Sequence, residues 1–304
     1  MTSVNVGLLL KALVKKANKP LLSHFKPPNL NGIDPIETSI CIDPEHWKRY
    51  AQCTGWLIDE SMPSRLHPCY LQTLSLTSQL TLLVSPSSPF PTMGLVHIGN
   101  RIRQSQALDV SKEIAMVCNF GEVKAHPKGW QFEVHVSGVQ SGEEVYHAIG
   151  RYFCRWKAPH VGASGTNDKQ DVQCPDVGML RLDASREIGF QYAKISGDFN
   201  PIHLHPVCAR WFGFQSNIAH GMWSLASAYS ALITHLPEMA YALDEGGVVV
   251  ETDFMKPWFL PGQGELHYCD RSGNGLEFML KDEATASSLF AGNIRAIDSS
   301  TSGD

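Results

Sequence analysis

The clearest periodic pattern in the chain is a run of apolar positions at helical spacing between residues 222 and 236. Its members return to one face of a helix every three or four residues: Met222, Leu225, Ala226, Tyr229, Leu232, Ile233 and Leu236. Small residues fill the positions between them, so the helix can pack closely against a sheet, and Pro237 marks its predicted end. Three β-rich stretches follow, at residues 247–255, 263–270 and 275–297, and we expect the last to break into two strands.

The first half repeats this order more faintly. Residues 70–84 form an apolar segment that suits either a helix or a strand. Four stretches rich in β-forming residues come after it, at residues 95–108, 113–123, 131–139 and 144–156. A helix followed by antiparallel strands, present twice, predicts a duplicated α+β unit.

Residues 158–175 are rich in Gly, Ser, Asp, Asn and Pro and are the best linker candidate. They separate a first domain, at residues 61–157, from a second, at residues 176–304. The second domain has a predicted strand at 177–183 and a short helix at 206–212. Residues 1–60 are an extension of uncertain structure. Within it, residues 7–17 can form an amphipathic helix, which we expect to cap the domain; an anchor on a membrane surface is the alternative.

Bulk composition narrows the function classes. Hydrophobic residues make up 43% of the 304, which is enough for a core, and a net charge of −5 argues against a nucleic-acid-binding protein. No stretch of 18 apolar residues occurs, so we expect no membrane span. The eight cysteines form no CxxC pair and are interpreted as reduced thiols. These features predict a cytoplasmic protein.

The segment at residues 196–203 carries the best candidate chemistry. Asp198, Asn200 and His203 lie within six residues, and Gly197 and Pro201 interrupt regular structure there. A carboxylate and an imidazole can exchange protons at neutral pH, which makes Asp198 and His203 the candidate acid–base pair. Asn200 can orient a water or the imidazole, can form an Asn-Pro turn without a part in catalysis, or can do both.

His220-Gly221-Met222 opens the long helix. A backbone N–H at Gly221 can stabilise developing negative charge with the help of the helix dipole, whereas a purely structural glycine is the alternative. His220, Met222 and Lys256 are candidate substrate-binding residues. His203 and His205 invite a metal interpretation, but no further ligands occur at recognisable spacing, so we predict neither a metal nor another cofactor.

The motif resembles the signature of the MaoC-like dehydratases, the (R)-specific enoyl-CoA hydratases. The residues that match are Gly197, Asp198, Asn200, Pro201 and His203, followed by 218–222 and, more loosely, Phe254, Pro257 and Gly262. The resemblance implies a hot-dog fold, doubled here into two antiparallel sheets that each wrap a central helix, with a degenerate first copy. It also implies that Asp198 and His203 form the catalytic pair, that Asn200 assists, and that the Gly221 amide forms an oxyanion hole.

By this resemblance the chain is expected to interconvert trans-2-enoyl and (R)-3-hydroxyacyl thioesters of CoA or an acyl-carrier protein in fatty-acid metabolism, as a monomer or homodimer. A non-catalytic acyl-thioester-binding protein is the rival from another class, although plain binding needs no acid–base pair. A hot-dog thioesterase is disfavoured because residues 221–236 contain no Asp or Glu, where such enzymes commonly place a carboxylate.

Overall fold

A computed structural model describes residues 6–57, 66–105, 108–159, 178–237, 247–270 and 275–297. The described ranges of the first half contain five helices and five strands: α1 (Val6–Val14), α2 (Lys19–Leu22), β1 (Ile36–Ile40), α3 (Pro44–Thr54), α4 (Cys69–Leu74), α5 (Leu76–Val84), β2 (Leu95–Gln104), β3 (Ile114–His126), β4 (Gly129–Gln140) and β5 (Glu143–Arg155). Residues 70–84, which the sequence left open, are therefore helical.

In the second half, the residues that the structure describes form four helices and five strands: β6 (Gly178–Ala184), α6 (Ile188–Ser196), α7 (Pro201–Leu204), α8 (Pro206–Trp211), α9 (Gly221–His235), β7 (Val248–Phe254), β8 (Gly262–Asp270), β9 (Leu276–Asp282) and β10 (Ser288–Ala296). The periodic run at 222–236 forms α9, and the stretch at 275–297 does break into two strands. Helix α6 has no counterpart among the sequence predictions.

All ten strands form one antiparallel sheet in the order β1-β3-β4-β5-β2-β7-β10-β9-β8-β6. From one edge inward the order is β1-β3-β4-β5-β2, and from the other edge inward it is β6-β8-β9-β10-β7. The two halves therefore arrange their five strands in the same way, as a duplicated unit predicts. They join where β2 pairs with β7, from Gly99 opposite Asp253 to Gln104 opposite Val248. The expected α+β, double hot-dog architecture is confirmed, with one correction: the two predicted sheets are joined edge to edge into a single sheet.

The helices and the sheet share one buried core. Helix α9 buries Leu225, Ala226, Tyr229 and Leu232, the residues that its period placed on one face. Strand β4 alternates buried and partly exposed positions along most of its length, as expected for a strand with one face on the core. The core is continuous across both halves, so α9 is held by the packing of the whole chain.

Strand β1 lies within the first 60 residues, the segment that the sequence left as an extension, and it pairs with β3 at the edge of the sheet. Helix α3 follows it, capped by Asp43, which accepts hydrogen bonds from the Glu45 and His46 amides. The N-terminal segment therefore contributes both a strand and a helix to the first half.

Six of the described cysteines are free thiols, but Cys269 is disulfide-bonded, so the expectation that all eight are reduced is wrong. Spacing along the chain does not reveal which thiols the fold brings together. Over the described ranges, no helix has the length and apolar character needed to cross a membrane.

Candidate active site

The end of helix α6 sets the position of Asp198. Gly197 takes the left-handed conformation (φ 79°) that ends the helix, and its N–H donates to the Ala193 carbonyl. Residues with a Cβ are strained in this conformation, which explains the glycine. Asp198 Oδ1 then accepts the Asn200 N–H at 3.1 Å, so one carboxylate oxygen is held by the turn and the other, Oδ2, is available for chemistry.

Asn200 begins the short helix α7. Its side-chain oxygen accepts the Ile202 N–H at 3.4 Å, and Pro201 occupies the first helical position. These are the contacts of a helix cap. They match the turn-forming role that the sequence offered as the alternative to a part in catalysis.

His203 lies on α7 and is buried, with a side chain 10% exposed. Its Nδ1 lies 2.9 Å from the Ile218 carbonyl oxygen. A carbonyl only accepts, so Nδ1 carries the proton and Nε2 keeps a free lone pair. That Nε2 lies 4.0 Å from Asp198 Oδ2, too far for a direct hydrogen bond but close enough for both atoms to contact one small molecule.

A glycine on α6 permits this arrangement. A Cβ at Gly189 would lie 2.1 Å from the His203 carbonyl oxygen, so no side chain fits where α6 crosses α7. The close approach of the two helices fixes the backbone of His203 against that of α6.

His220 contacts both members of the pair. Its Nε2 donates to the Asp198 main-chain carbonyl at 3.0 Å, and its ring stacks on His203 with centroids 3.7 Å apart. The side chain is only 3% exposed. Its Nδ1 is buried with no hydrogen-bond partner among the described residues. His220 therefore fixes both the turn at Asp198 and the plane of the His203 ring.

The electrostatics favour an ionised Asp198 beside two neutral imidazoles. Burial raises the pKa of Asp198, whereas the charged forms of His220 and His203 and the hydrogen bond from the Asn200 amide lower it, and the net direction is downward. Burial lowers the pKa of His203, partly offset by the Asp198 carboxylate and the Ile218 carbonyl. Burial lowers the pKa of His220 to about 3.

These three residues also bear on metal binding. Asp198, His203 and His220 each place one potential ligand atom within 4.8 Å of the others. However, His220 Nε2 donates to a carbonyl and so has no lone pair for a metal. Two free ligand atoms remain, fewer than the three protein ligands usual for a catalytic zinc.

The N-terminus of α9 adjoins this pair. Gly221 is the first residue of the helix, so its N–H has no acceptor within α9, and the preceding His220 makes no side-chain cap bond. A Cβ at Gly221 would lie 3.1–3.4 Å from the Phe254 ring. Because Gly221 has no side chain, the Phe254 ring and a bound group can both come close to its N–H. This N–H lies at the positive end of the helix and has no acceptor among the described residues.

The first half contributes His97, for which the sequence predicted no role. His97 lies on β2 at a register shift, stacked on Tyr152 at 4.8 Å and 5.2 Å from the Phe254 ring. Its Nε2 is buried without a hydrogen-bond partner in the described part of the chain. Burial lowers the pKa of His97 to about 4, against smaller interactions that include the Asp198 charge. His97 therefore lies beside the site as a neutral imidazole.

The two remaining candidates have different surroundings. Met222 lies on the first turn of α9, where its sulfur accepts from Asn100 Nδ2 of the first half at 3.3 Å. Lys256 is exposed, and its ammonium donates to Ser287 Oγ at 3.0 Å. Among the described contacts, none joins Lys256 to Asp198 or His203.

Comparison with known proteins shows what the segment around the motif resembles. Residues 182–260 match the model of the MaoC-like domain. A curated relative, 3-hydroxyacyl-thioester dehydratase X of Mycobacterium tuberculosis, is 25% identical over 258 residues, which is 84% of this chain and 86% of that protein.

Solved structures agree on the fold. The crystal structure of HtdX from M. tuberculosis superposes with a TM-score of 0.71 at 22% identity, covering 87% of this chain and all of that one. A second M. tuberculosis protein, described as a double hot-dog fold, superposes with a TM-score of 0.56 at 11% identity, covering 88% of this chain and 96% of that one. The chain therefore carries a MaoC-like dehydratase domain at residues 182–260, set within a double hot-dog fold.

Proposed function

We propose that this protein is an (R)-specific hydratase/dehydratase that interconverts trans-2-enoyl and (R)-3-hydroxyacyl thioesters. The observation that carries the proposal is the gap of 4.0 Å between Asp198 Oδ2 and the free Nε2 of His203. Two acceptor atoms at this separation can hold one water between them, which is what hydration of a double bond requires.

His203 is the base in this scheme. The hydrogen bond from Nδ1 to the Ile218 carbonyl leaves Nε2 as an acceptor. The pKa of each group is lowered, but the ordinary pKa of an imidazole lies well above that of a carboxylate, which makes His203 the stronger base. In hydration, the oxygen of water bonds to C3 of the enoyl chain while His203 takes one of its protons. The same proton then passes to C2, so water adds across the double bond and His203 returns to its neutral form.

Asp198 acts on this step through its charge. When His203 accepts the proton it becomes an imidazolium in a buried site, which an ionised carboxylate at 4.0 Å stabilises. Oδ1 stays bound to the Asn200 amide, so Oδ2 can hold the water throughout.

The Gly221 amide supplies the oxyanion hole. Negative charge builds on the thioester oxygen as C3 is attacked, and a free N–H at a helix N-terminus stabilises it. The glycine, which brings the Phe254 ring close, also lets a thioester approach the amide. His97 borders the same region from the first half through its contact with Phe254.

The substrates are acyl thioesters of CoA or of an acyl-carrier protein, and the protein acts in the cytoplasm. Because β2 and β7 join the two hot dogs within one chain, a monomer already contains the paired sheet; a homodimer is also compatible with it.

The direct test follows the absorbance of the enoyl-thioester band with purified protein and trans-2-enoyl-CoAs from short to long chains. We expect absorbance to fall and chiral analysis to give the (R)-3-hydroxy product. Release of free CoA from a saturated acyl-CoA would instead indicate a thioesterase. Tight binding without turnover of any CoA or carrier-protein substrate would indicate a binding protein. Either result would overturn the proposal.

A further inference from the structure

Helix α1 is fixed to the body of the first half by one face. Ala12 is buried, and its carbonyl accepts from the Thr92 hydroxyl. Lys15 reaches back to donate to the Ser85 carbonyl at 2.7 Å, and the Asn18 N–H donates to the Pro89 carbonyl at 2.8 Å. The helix thus caps the domain, as one of the two interpretations of the sequence expected, and has a defined outer face.

That outer face is apolar. Leu10, Leu13 and Val14 are 57%, 49% and 71% exposed, and their spacing of three and four residues places them on one side of the helix. Leu21 and Phe25, a short distance along the chain, are 41% and 76% exposed. Single exposed apolar side chains need no explanation, but a concentration of them marks an interaction surface.

The same segment is strongly basic. Residues 1–33 contain five of the 25 Lys and Arg residues of the chain and none of its 30 Asp and Glu residues. Lys11, Lys16, Lys19 and Lys26 are exposed. Since the whole chain carries −5, this segment is a local reversal of the protein's charge.

We propose that residues 6–26 dock the protein on the surface of a membrane that contains anionic lipids. Apolar side chains that enter the headgroup region, flanked by lysines that meet the lipid phosphates, are the two features that hold an interfacial helix. The charge disfavours a second copy as the occupant, because a two-fold contact would place the lysines of one copy against those of the other. The proposal is independent of the reaction catalysed at Asp198.

Flotation with vesicles tests this. The full chain is mixed with phosphatidylcholine vesicles, with or without phosphatidylglycerol, at low and at high salt. We expect binding only to the anionic vesicles, and loss of that binding at high salt. Lys16→Glu with Lys19→Glu should weaken binding by roughly tenfold or more. Leu10→Gln with Leu13→Gln should weaken it as well, without loss of helix propensity.

Matched variants control for charge and for exposed apolar surface in general. Lys48→Glu with Lys128→Glu makes the same charge change elsewhere, and Leu57→Gln with Met179→Gln removes exposed apolar side chains elsewhere; both should bind like the wild type. All variants should turn over a short enoyl-CoA in solution at the wild-type rate.

Several outcomes overturn the proposal. They are the absence of binding at low salt, equal binding to neutral vesicles, and equal losses in the matched variants. A sedimentation coefficient that falls in the Leu10/Leu13 variant would identify a second copy as the occupant, and a lysine-dependent complex with an acidic carrier protein in place of vesicle binding would identify that partner.

Discussion

Replacing Asp198 by Asn tests the central electrostatic argument. The substitution keeps the shape of the side chain, and the amide oxygen can still accept the Asn200 N–H that Oδ1 accepts at 3.1 Å. What it removes is the negative charge 4.0 Å from Nε2 of His203. We therefore expect the fold to be retained while the protonated form of His203 loses its counter-charge.

The separation gives the size of the effect. Two unit charges about 4 Å apart interact by about 4 kcal/mol at an effective dielectric constant of about 20. The Asp198 side chain is 36% exposed, so water screens part of this interaction. We therefore take about 2 kcal/mol as the lower bound of the interaction energy. Since about 1.4 kcal/mol is a factor of ten in rate, kcat should fall by a factor of about 30 to 1000.

The assay is hydration of a trans-2-enoyl-CoA under saturating substrate, with the free energy of unfolding measured in urea for the same proteins. Asp183→Asn is the matched control, because Asp183 is an exposed aspartate of the same half whose carboxylate accepts from Gln263. The control should match the wild type. A kcat within a few-fold of wild type for Asp198→Asn, with its stability unchanged, would refute the reasoning.

Three further predictions concern two buried histidines, the Gly221 amide and His97. Burial lowers the pKa values of His67 and His220 to about 3, whereas the pKa of an unfolded histidine is about 6.5. The free energy of unfolding should therefore fall as the pH drops below about 6.5, by about 2 kcal/mol per histidine at pH 5. Urea unfolding at pH 7.5 and at pH 5 measures this loss. Gly221→Ala should lower kcat/KM by about tenfold, because the added Cβ would lie 3.1 Å from the Phe254 ring and crowd the amide. The free energy of unfolding should change by less than about 1 kcal/mol in the same urea assay. His97→Asn should lower kcat/KM by a few-fold and alter the chain-length profile in the hydration assay, whereas His135→Asn should do neither.

Strong local signals explain what could be predicted from the sequence. Helix α9 combines a sustained apolar period with a proline after its end, and both are local features. The strands were recognised by β-forming residues between glycine turns. The candidate pair can be identified from the sequence because Asp198 and His203 lie five residues apart on one irregular segment, so their proximity hardly depends on the rest of the fold.

Helix α6 shows why other parts were missed. It contains Ile188, Phe190, Tyr192 and Ile195, residues that favour strands, together with a glycine. It is helical because Ile188, Tyr192 and Ala193 are buried and because Gly189 admits the backbone of α7. Tertiary packing overrides local preference there, and no window of sequence contains that information.

Residues that meet across the two halves were equally beyond the sequence. The place of His97 beside the site depends on the register between β2 and β7. The sequence also left two roles open for Asn200, and its contacts are those of a helix cap. The position of His97 and the capping contact of Asn200 both depend on the folded geometry, because residue type alone is compatible with either role.

Contacts between the two halves support the elements that carry the candidate site, so the site depends on the whole chain. The acid–base motif lies in the second copy, but Tyr192, which packs near His220, bonds to Thr73 of the first copy at 3.0 Å. Trp223 on α9 donates to the Cys53 carbonyl of the first copy at 2.9 Å. Without the first half, β7 would also present an unpaired strand edge. The first half, which lacks the motif, therefore helps to position the helices that carry His203 and the Gly221 amide.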